Sequence, residues 1–427
     1  MPTHKPTSRN PWVWVPSLYV AEGIPYVMVM TVSAILYKRL GISNTDIALY
    51  TSWLYLPWVV KPLWSPFVEL IGTKRYWILF MQILIGASLA CIAFSIPATR
   101  FFQYTLAFFW LVAFSSATHD TAADGFYMLG LSEDLQAAFV GVRTTFYRVA
   151  TIATQGGLII LAGFLEANGH AITKAWSIAL LTAGAAFAAL FLYHFFLIPY
   201  PKEDRPASRN PSTSLIRESL HIFSLFFRKK EIVAILAFFL FFRLAETQLA
   251  KIVALFLLDP RSKGGLGLAT SEVGIIYGTV GVIALTLGGL IGGYAIYKRG
   301  LKFWIWIMAC SMNLPNLVYV YVSQTLPNSR LLINLCVAAE QFGYGFGFTA
   351  YTMFMMMVSE GEYKTVHYAI STGIMALGMM LPAMASGWLQ EHLGYQTFFL
   401  WVMAAAIPAF IVTGLVKISP DFGKKKC

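Results

Sequence analysis

Along most of the chain, apolar residues run on for twenty or more positions, and the breaks between runs are short and marked by charge, Gly, Pro or Asn. A helix of about 20 apolar residues crosses a hydrocarbon core of about 30 Å, where unpaired backbone N–H and C=O groups would find no water. The pattern predicts helical spans at about 12–36, 46–70, 76–96, 102–128, 138–165 and 171–198. After a polar stretch from Pro199 to Glu231 it predicts six more, at about 232–258, 271–297, 302–323, 331–356, 365–389 and 395–416. The predicted organisation is an N-terminal six-helix bundle over 1–198, a cytoplasmic basic linker over 199–231, and a C-terminal six-helix bundle with a cytoplasmic tail over 232–427.

The two sets of six repeat each other. Ala21-Glu22 in the first span matches Ala245-Glu246 in the seventh, and Gly41-Ile-Ser-Asn-Thr-Asp46 matches Gly267-Leu-Ala-Thr-Ser-Glu272 at nearly the same offset. Gly163-Phe-Leu-Glu-Ala-Asn-Gly169 matches Gly387-Trp-Leu-Gln-Glu-His-Leu-Gly394 with one insertion. Parallel repeats of this kind are a transporter architecture, with binding sites near the midplane between the repeats. The arrangement resembles the major facilitator fold: an all-α membrane protein of about 12 transmembrane helices in two six-helix parallel repeats. The loops Ser65 to Arg75 and Gly293 to Lys302 resemble degenerate copies of that superfamily's G-x-x-x-D-R-x-G-R-R signature, with Glu69 in place of the first aspartate and Tyr297 in the second copy.

Composition supports lipid as the solvent. The 427 residues are 58% hydrophobic and 12% charged, against about a quarter charged in soluble domains, and the mean hydropathy is +0.65. The net charge of +11 does not read as nucleic-acid binding, because the basic residues sit in short loops rather than on one polar face. Most Lys and Arg fall on the side that holds both termini, which the positive-inside rule makes cytoplasmic. Lys202, Arg205, Arg209, Arg217, Arg228, Lys229 and Lys230 concentrate in the linker; a stretch around Leu215 to Phe227 is amphipathic enough for a surface helix, although a basic linker is the simpler reading. Cys91, Cys310, Cys336 and Cys427 lack metal-ligand spacing, so neither a metal nor another cofactor is expected. Met1 to Asn10 is polar, and the run after it lacks the short h-region of a signal peptide, so it is expected to stay as the first span.

Ionisable residues inside spans are costly and mark functional sites or buried partners. Span 4 carries His119-Asp120-Thr-Ala-Ala-Asp124-Gly125, with its two carboxylates one turn apart on one helix face. If spans 4 and 5 form a hairpin, equal depth pairs Asp124 with Arg143 and Asp120 with Arg148. Five residues turn a helix by about 140°, so the two arginines cannot both face span 4 equally. Glu22 lies about 15 Å into span 1, before a Gly23-Ile24-Pro25 weak point, and Lys61 lies at similar depth, able to neutralise Glu22 or to meet an anionic substrate. Asp120, Asp124 and Glu22 are therefore the proton-coupling candidates, and Arg143, Arg148 and Lys61 their charge partners; the alternative is structural glue between spans.

In the second half Arg243, Glu246 and Lys251 lie in span 7, and Arg243 and Glu246 are close enough to pair with each other. Candidates for a substrate cavity are Gln155, Arg243, Glu246, Asn313, Glu340, Gln341 and Tyr344. Trp12, Trp14, Trp304 and Trp306 read as an interfacial belt. Gly343, Gly345 and Gly347, alternating with Tyr344, Phe346, Phe348 and nearby Tyr351, favour close helix packing over a cavity wall.

Glu22-Gly-Ile-Pro25, Lys61-Pro-Leu-Trp-Ser-Pro66 and His119-Asp-Thr-Ala-Ala-Asp124-Gly125 together resemble the AmpG muropeptide permease family, over most of the chain. The resemblance implies proton-driven import of GlcNAc-anhydroMurNAc peptides across a bacterial inner membrane; the multi-pass chain is expected to act as a monomer in the lipid bilayer, since one repeat pair can enclose a complete pathway. Its partners would be protons and a small anionic or amphipathic substrate, with no nucleic acid. Acetyl-coenzyme A transporters and a siderophore-uptake branch share similar D-x-x-x-D-G patterns, and a nontransporting membrane sensor would retain the same fold. An intramembrane enzyme is not expected: there is no H-E-x-x-H motif and no serine that forms a triad with His119.

Overall fold

The apolar runs become helices because lipid leaves the backbone no other donor or acceptor. The computed structural model describes residues 9–131, 133–202, 204–205, 223–360 and 364–424, and the regular secondary structure among the described residues is helical throughout. Ten stretches among them are long and apolar enough to cross a membrane. The last, Val366–Leu415, is two helices that meet at Gly394, whose φ of 69° and ψ of 165° break the helix. Asn44–Trp53 and Leu56–Leu70, separated by a turn at Leu54 and Tyr55, form a further pass. The described passes therefore number twelve, as the pattern predicts: span 1 is Pro11–Arg39, span 2 Asn44–Leu70, span 3 Lys74–Ser95, span 4 Phe101–Gly130, span 5 Glu133–Ala167 and span 6 Ile172–Leu197. Spans 7 to 10 are Ile232–Leu258, Thr270–Arg299, Leu301–Thr325 and Arg330–Ser359, and spans 11 and 12 lie on either side of Gly394.

The repeat seen in sequence is a repeat of helix starts and stops. Gly41 (φ +82°) turns the chain, and Ser43 then caps span 2 by accepting the Asp46 N–H at 3.0 Å. At the matching place Gly267 (φ +65°) turns the chain, and Glu272 reaches back to accept the Ala269 N–H at 2.8 Å before span 8. These side chains supply acceptors to orphan N–H groups that no preceding helical turn can satisfy.

The expected weak point in span 1 lies one turn later than Gly23-Ile24-Pro25. The α-helix runs unbroken from Pro11 to Val27 and then widens into a π-turn over Met28–Val32. Pro25 has no N–H to give the preceding turn, and the helix absorbs that loss as an extra residue. Further π-turns occupy Ile152–Leu158 in span 5 and Gly274–Gly281 in span 8, and those of spans 1 and 5 touch each other.

The chain forms two compact units. One comprises Met1–Leu36 and Val60–Arg209; the other comprises Tyr37–Val59 and Asn210–Cys427. In the first unit Trp14 is fully buried, edge-on to Phe126 at 5.3 Å, so it belongs to the core and not to the expected interfacial belt; Trp12 is exposed and stays outside. In the second unit Phe238, Phe242, Tyr351 and Phe354 stack as a continuous aromatic core. The glycines of span 10 serve packing: a Cβ on Gly345 would stand 2.0 Å from the Leu285 carbonyl of span 8, and one on Gly343 2.1 Å from the Ser311 carbonyl of span 9. The Tyr37–Val59 segment is held in this unit by buried polar contacts: Lys38 and Tyr395 both bond Asp259, and Asn44 bonds Gln390 and Tyr395. Of the linker, the amphipathic stretch expected from Leu215 to Phe227 falls mostly outside the described residues, with only Phe223 to Phe227 seen as helix.

Candidate functional site

Spans 1, 2, 4 and 5 of the first unit bring five ionisable side chains together. Asp124 accepts from Arg143 Nη2 at 2.8 Å and from the Tyr19 hydroxyl at 3.0 Å, both on the same oxygen. The Arg143 guanidinium lies 4.5 Å above the Tyr19 ring and 5.2 Å from that of Tyr127, so its position is fixed by aromatic faces as well as by charge. One turn along span 4, Asp120 forms an ion pair with Lys61 of span 2. Glu22, one turn beyond Tyr19 on span 1, lies near enough to Asp120 and Asp124 to feel their charge, and its Oε2 is buried without a partner among the described residues. Gly23 lets span 5 come close here: a Cβ would stand 2.9 Å from that of Ala150.

Three carboxyls thus share the site with two cations, so the cluster carries one more acid than base. The cluster is also open: the side chains of Asp124, Arg143, Lys61 and Asp120 are 39, 30, 25 and 21% exposed. Charges at this depth that keep such exposure line an accessible space rather than a sealed helix contact.

The expected pairing of Asp120 with Arg148 does not occur. Lys61 occupies Asp120, and Arg143 takes the side of span 5 that faces span 4; Arg148, rotated away by five residues, is half-buried with no carboxylate partner among the described residues. Gln155 is buried within the π-turn of span 5. The span pattern gives no sign of Tyr19 as a ligand of Asp124. It also misses a buried chain behind the acids, in which Gln82 of span 3 bonds His119 at 3.0 Å and His194 of span 6 at 2.8 Å, and His194 bonds Ser17 of span 1 at 2.9 Å. The available signal is a lone glutamine and a lone histidine inside apolar runs.

The second unit holds a different cluster. Arg243 stands at the break between the two helices of span 7, paired with Glu246 at 2.8 Å and donating to the Tyr344 hydroxyl at 2.8 Å, with its guanidinium 4.8 Å from the Phe348 ring. Both charged side chains are only 4% exposed. Glu340 accepts from the Tyr319 hydroxyl at 3.1 Å and from Gln341 at 3.0 Å. Asn313, just before the 3₁₀ turn Leu314–Asn316, donates to the Ala309 carbonyl at 2.9 Å, and its Oδ1 is buried without a partner. The Lys251 amine and both amide atoms of Asn316 are likewise buried without partners among the described residues.

Residues 17–366 match the profile of the Major Facilitator Superfamily. Among curated relatives, a Rickettsia conorii protein named putative transporter AmpG 4 is 24% identical over 410 residues, covering 92% of this chain and 94% of the relative. The anhydromuropeptide permease of Escherichia coli K12 is 24% identical over 400 residues, covering 92% of this chain and 77% of the permease. Two solved structures share the fold. The nucleoside transporter NupG superposes with a TM-score of 0.70 at 16% identity, over 96% of this chain and 100% of that one. A D-xylose-proton symporter superposes with a TM-score of 0.71 at 11% identity, over 97% and 99%.

Proposed function

The chain belongs to the Major Facilitator Superfamily, and from that premise we propose that it is a proton-coupled importer of peptidoglycan turnover products, the anhydro-muropeptides, working by alternating access. The observation that carries the proposal is the open five-member cluster of Glu22, Lys61, Asp120, Asp124 and Arg143, with one more carboxyl than cations. The resemblance at these motifs, together with relatives named AmpG and anhydromuropeptide permease, supports the substrate class.

In this reading a proton from the outer side settles on one of the acids Asp120, Asp124 and Glu22, and the cluster becomes neutral. Alternating access then carries the substrate inward, where the proton leaves. Proton and substrate each bind one state better than the other, which is the condition for coupling. Lys61 is freed from Asp120 when that acid is protonated, and its ammonium becomes available to a peptide carboxylate of the substrate. In the second bundle half-buried Tyr344 makes the substrate contact, held in place by the buried Arg243 and Glu246 pair. The protein acts as a monomer in a bacterial inner membrane with both termini cytoplasmic.

The test is uptake of labelled GlcNAc-anhydroMurNAc-peptide into proteoliposomes under an imposed inward proton gradient, with Asp120→Asn, Asp124→Asn and Glu22→Gln alongside. Saturable gradient-driven uptake that is lost in Asp120→Asn, while exchange of internal for external substrate without a gradient persists, is the expected result. A folded protein that takes up no muropeptide but accumulates acetyl-coenzyme A or a ferric siderophore would move the substrate within the same mechanism. Failure to move any of the three would leave a nontransporting sensor.

A further inference from the structure

The first unit holds a cavity of about 450 Å³ away from the charge cluster, where the start of span 3 meets the end of span 6. Its volume falls in the range of ordinary small-ligand sites, about 300–1,000 Å³. Its walls are Leu79, Phe80, Ile83 and Phe195, and its head is formed by Arg75 and Tyr200. Tyr76, Phe80 and Ile83 recur at helical spacing and are 54, 43 and 49% exposed, so the groove opens sideways onto lipid rather than into the protein.

The head of the groove is cationic. Arg75 is 9% exposed; its guanidinium stacks 3.9 Å from the Tyr200 ring, one terminal nitrogen is held by the Phe195 carbonyl, and Nε is buried with no partner among the described residues. Arg9 anchors on the neighbouring Phe196 carbonyl. The one carboxylate lining the cavity, Asp204, is occupied by the backbone N–H groups of Lys74 and Arg75 at 2.7 and 3.0 Å, where it caps span 3. Its charge is therefore partly offset by the helix N-terminus, and Arg75 is the cation that lines the groove. Arg75 is in the first turn of a span, at the depth where phosphate groups of a leaflet lie, and Tyr76 and Tyr200 are the aromatic residues typical of that depth.

A buried guanidinium with an unused donor at the head of an apolar channel fits a ligand that is anionic at one end and aliphatic along its length. We propose that this groove binds an anionic phospholipid, with its phosphate on Arg75 and one acyl chain along Leu79, Phe80 and Ile83. Arginine suits the role because its planar donors match phosphate oxygens and remain charged in a low-dielectric setting. The lipid would brace the span 3 and span 6 contact, which also carries the Gln82 and His194 hydrogen bond. The lipid site does not depend on which substrate the protein carries.

The experiment is native mass spectrometry of the delipidated full-length protein, offered equimolar dioleoyl-phosphatidylglycerol and dioleoyl-phosphatidylcholine. We expect the wild type to retain phosphatidylglycerol about fivefold over phosphatidylcholine, the scale of one arginine at a charged membrane surface. Arg75→Gln should remove the preference, Tyr200→Ala should reduce it, and excess glycerol 3-phosphate should not displace the lipid, because it lacks the chain. Equal retention of both lipids by wild type overturns the proposal, as does an unchanged preference in Tyr200→Ala, which alters an exposed ring and is expected to fold even if Arg75→Gln does not. Displacement by glycerol 3-phosphate would make the site one for free phosphate and overturn the lipid assignment.

Discussion

The two charged clusters differ in the way that matters for transport. In the first unit the pairs Asp120 with Lys61 and Asp124 with Arg143 bridge different spans and keep 21 to 39% of their side-chain surface. In the second unit Arg243 and Glu246 are neighbours on one span, matched in charge and 4% exposed. An open cluster with an excess carboxyl can change its proton content at small cost, whereas a sealed, balanced pair resists change. The first is open with an acid in excess, and the second is closed and balanced.

Substitutions can break that contrast. The largest effect is expected from Asp120→Asn, which should abolish gradient-driven uptake in proteoliposomes with little loss of thermal stability in detergent. Arg243→Gln should do the reverse in emphasis: it leaves Glu246 buried without its cation, a loss of about 3–5 kcal/mol, read as a lowered melting temperature. A similar stability in Arg243→Gln and Arg143→Gln would remove the distinction between the clusters, since the open Arg143 pair should cost about 1 kcal/mol or less. Gly345→Ala drives a methyl group into the Leu285 carbonyl, and an overpacking penalty of about 1–3 kcal/mol is expected; the melting temperature of this variant tests whether the second unit's rigidity rests on backbone contact as well as on its ion pair. Arg148→Gln should have the smallest effect, leaving uptake within about twofold of wild type, as expected for a half-buried charge without a paired acid.

The fold is legible in the sequence because its signals are local. Run lengths mark the spans, and Gly41 with Asp46 and Gly267 with Glu272 mark equivalent helix starts by their spacing alone. The Asp124 and Arg143 contact is legible for a similar reason: consecutive spans in a hairpin bring residues of equal depth together. Asp120 and Lys61 escape that arithmetic because spans 2 and 4 are not consecutive, and the Gln82, His194 and Ser17 chain escapes because a single polar residue does not say which distant helix faces it. Trp14 is misread for a related reason: an aromatic near a span's end is an interfacial anchor or a core residue depending on a neighbour, here Phe126, that lies far along the chain.

The π-turn in span 1 has a consequence for register. Such a turn carries one surplus residue in an otherwise regular helix, and each residue of an α-helix advances its face by about 100°. Glu22 lies just before this surplus, and the π-turn of span 5 lies against it. Residues on the two sides of the surplus are therefore out of the register a continuous α-helix would give them, so the face that carries Glu22 and the face at the far end of span 1 are set independently.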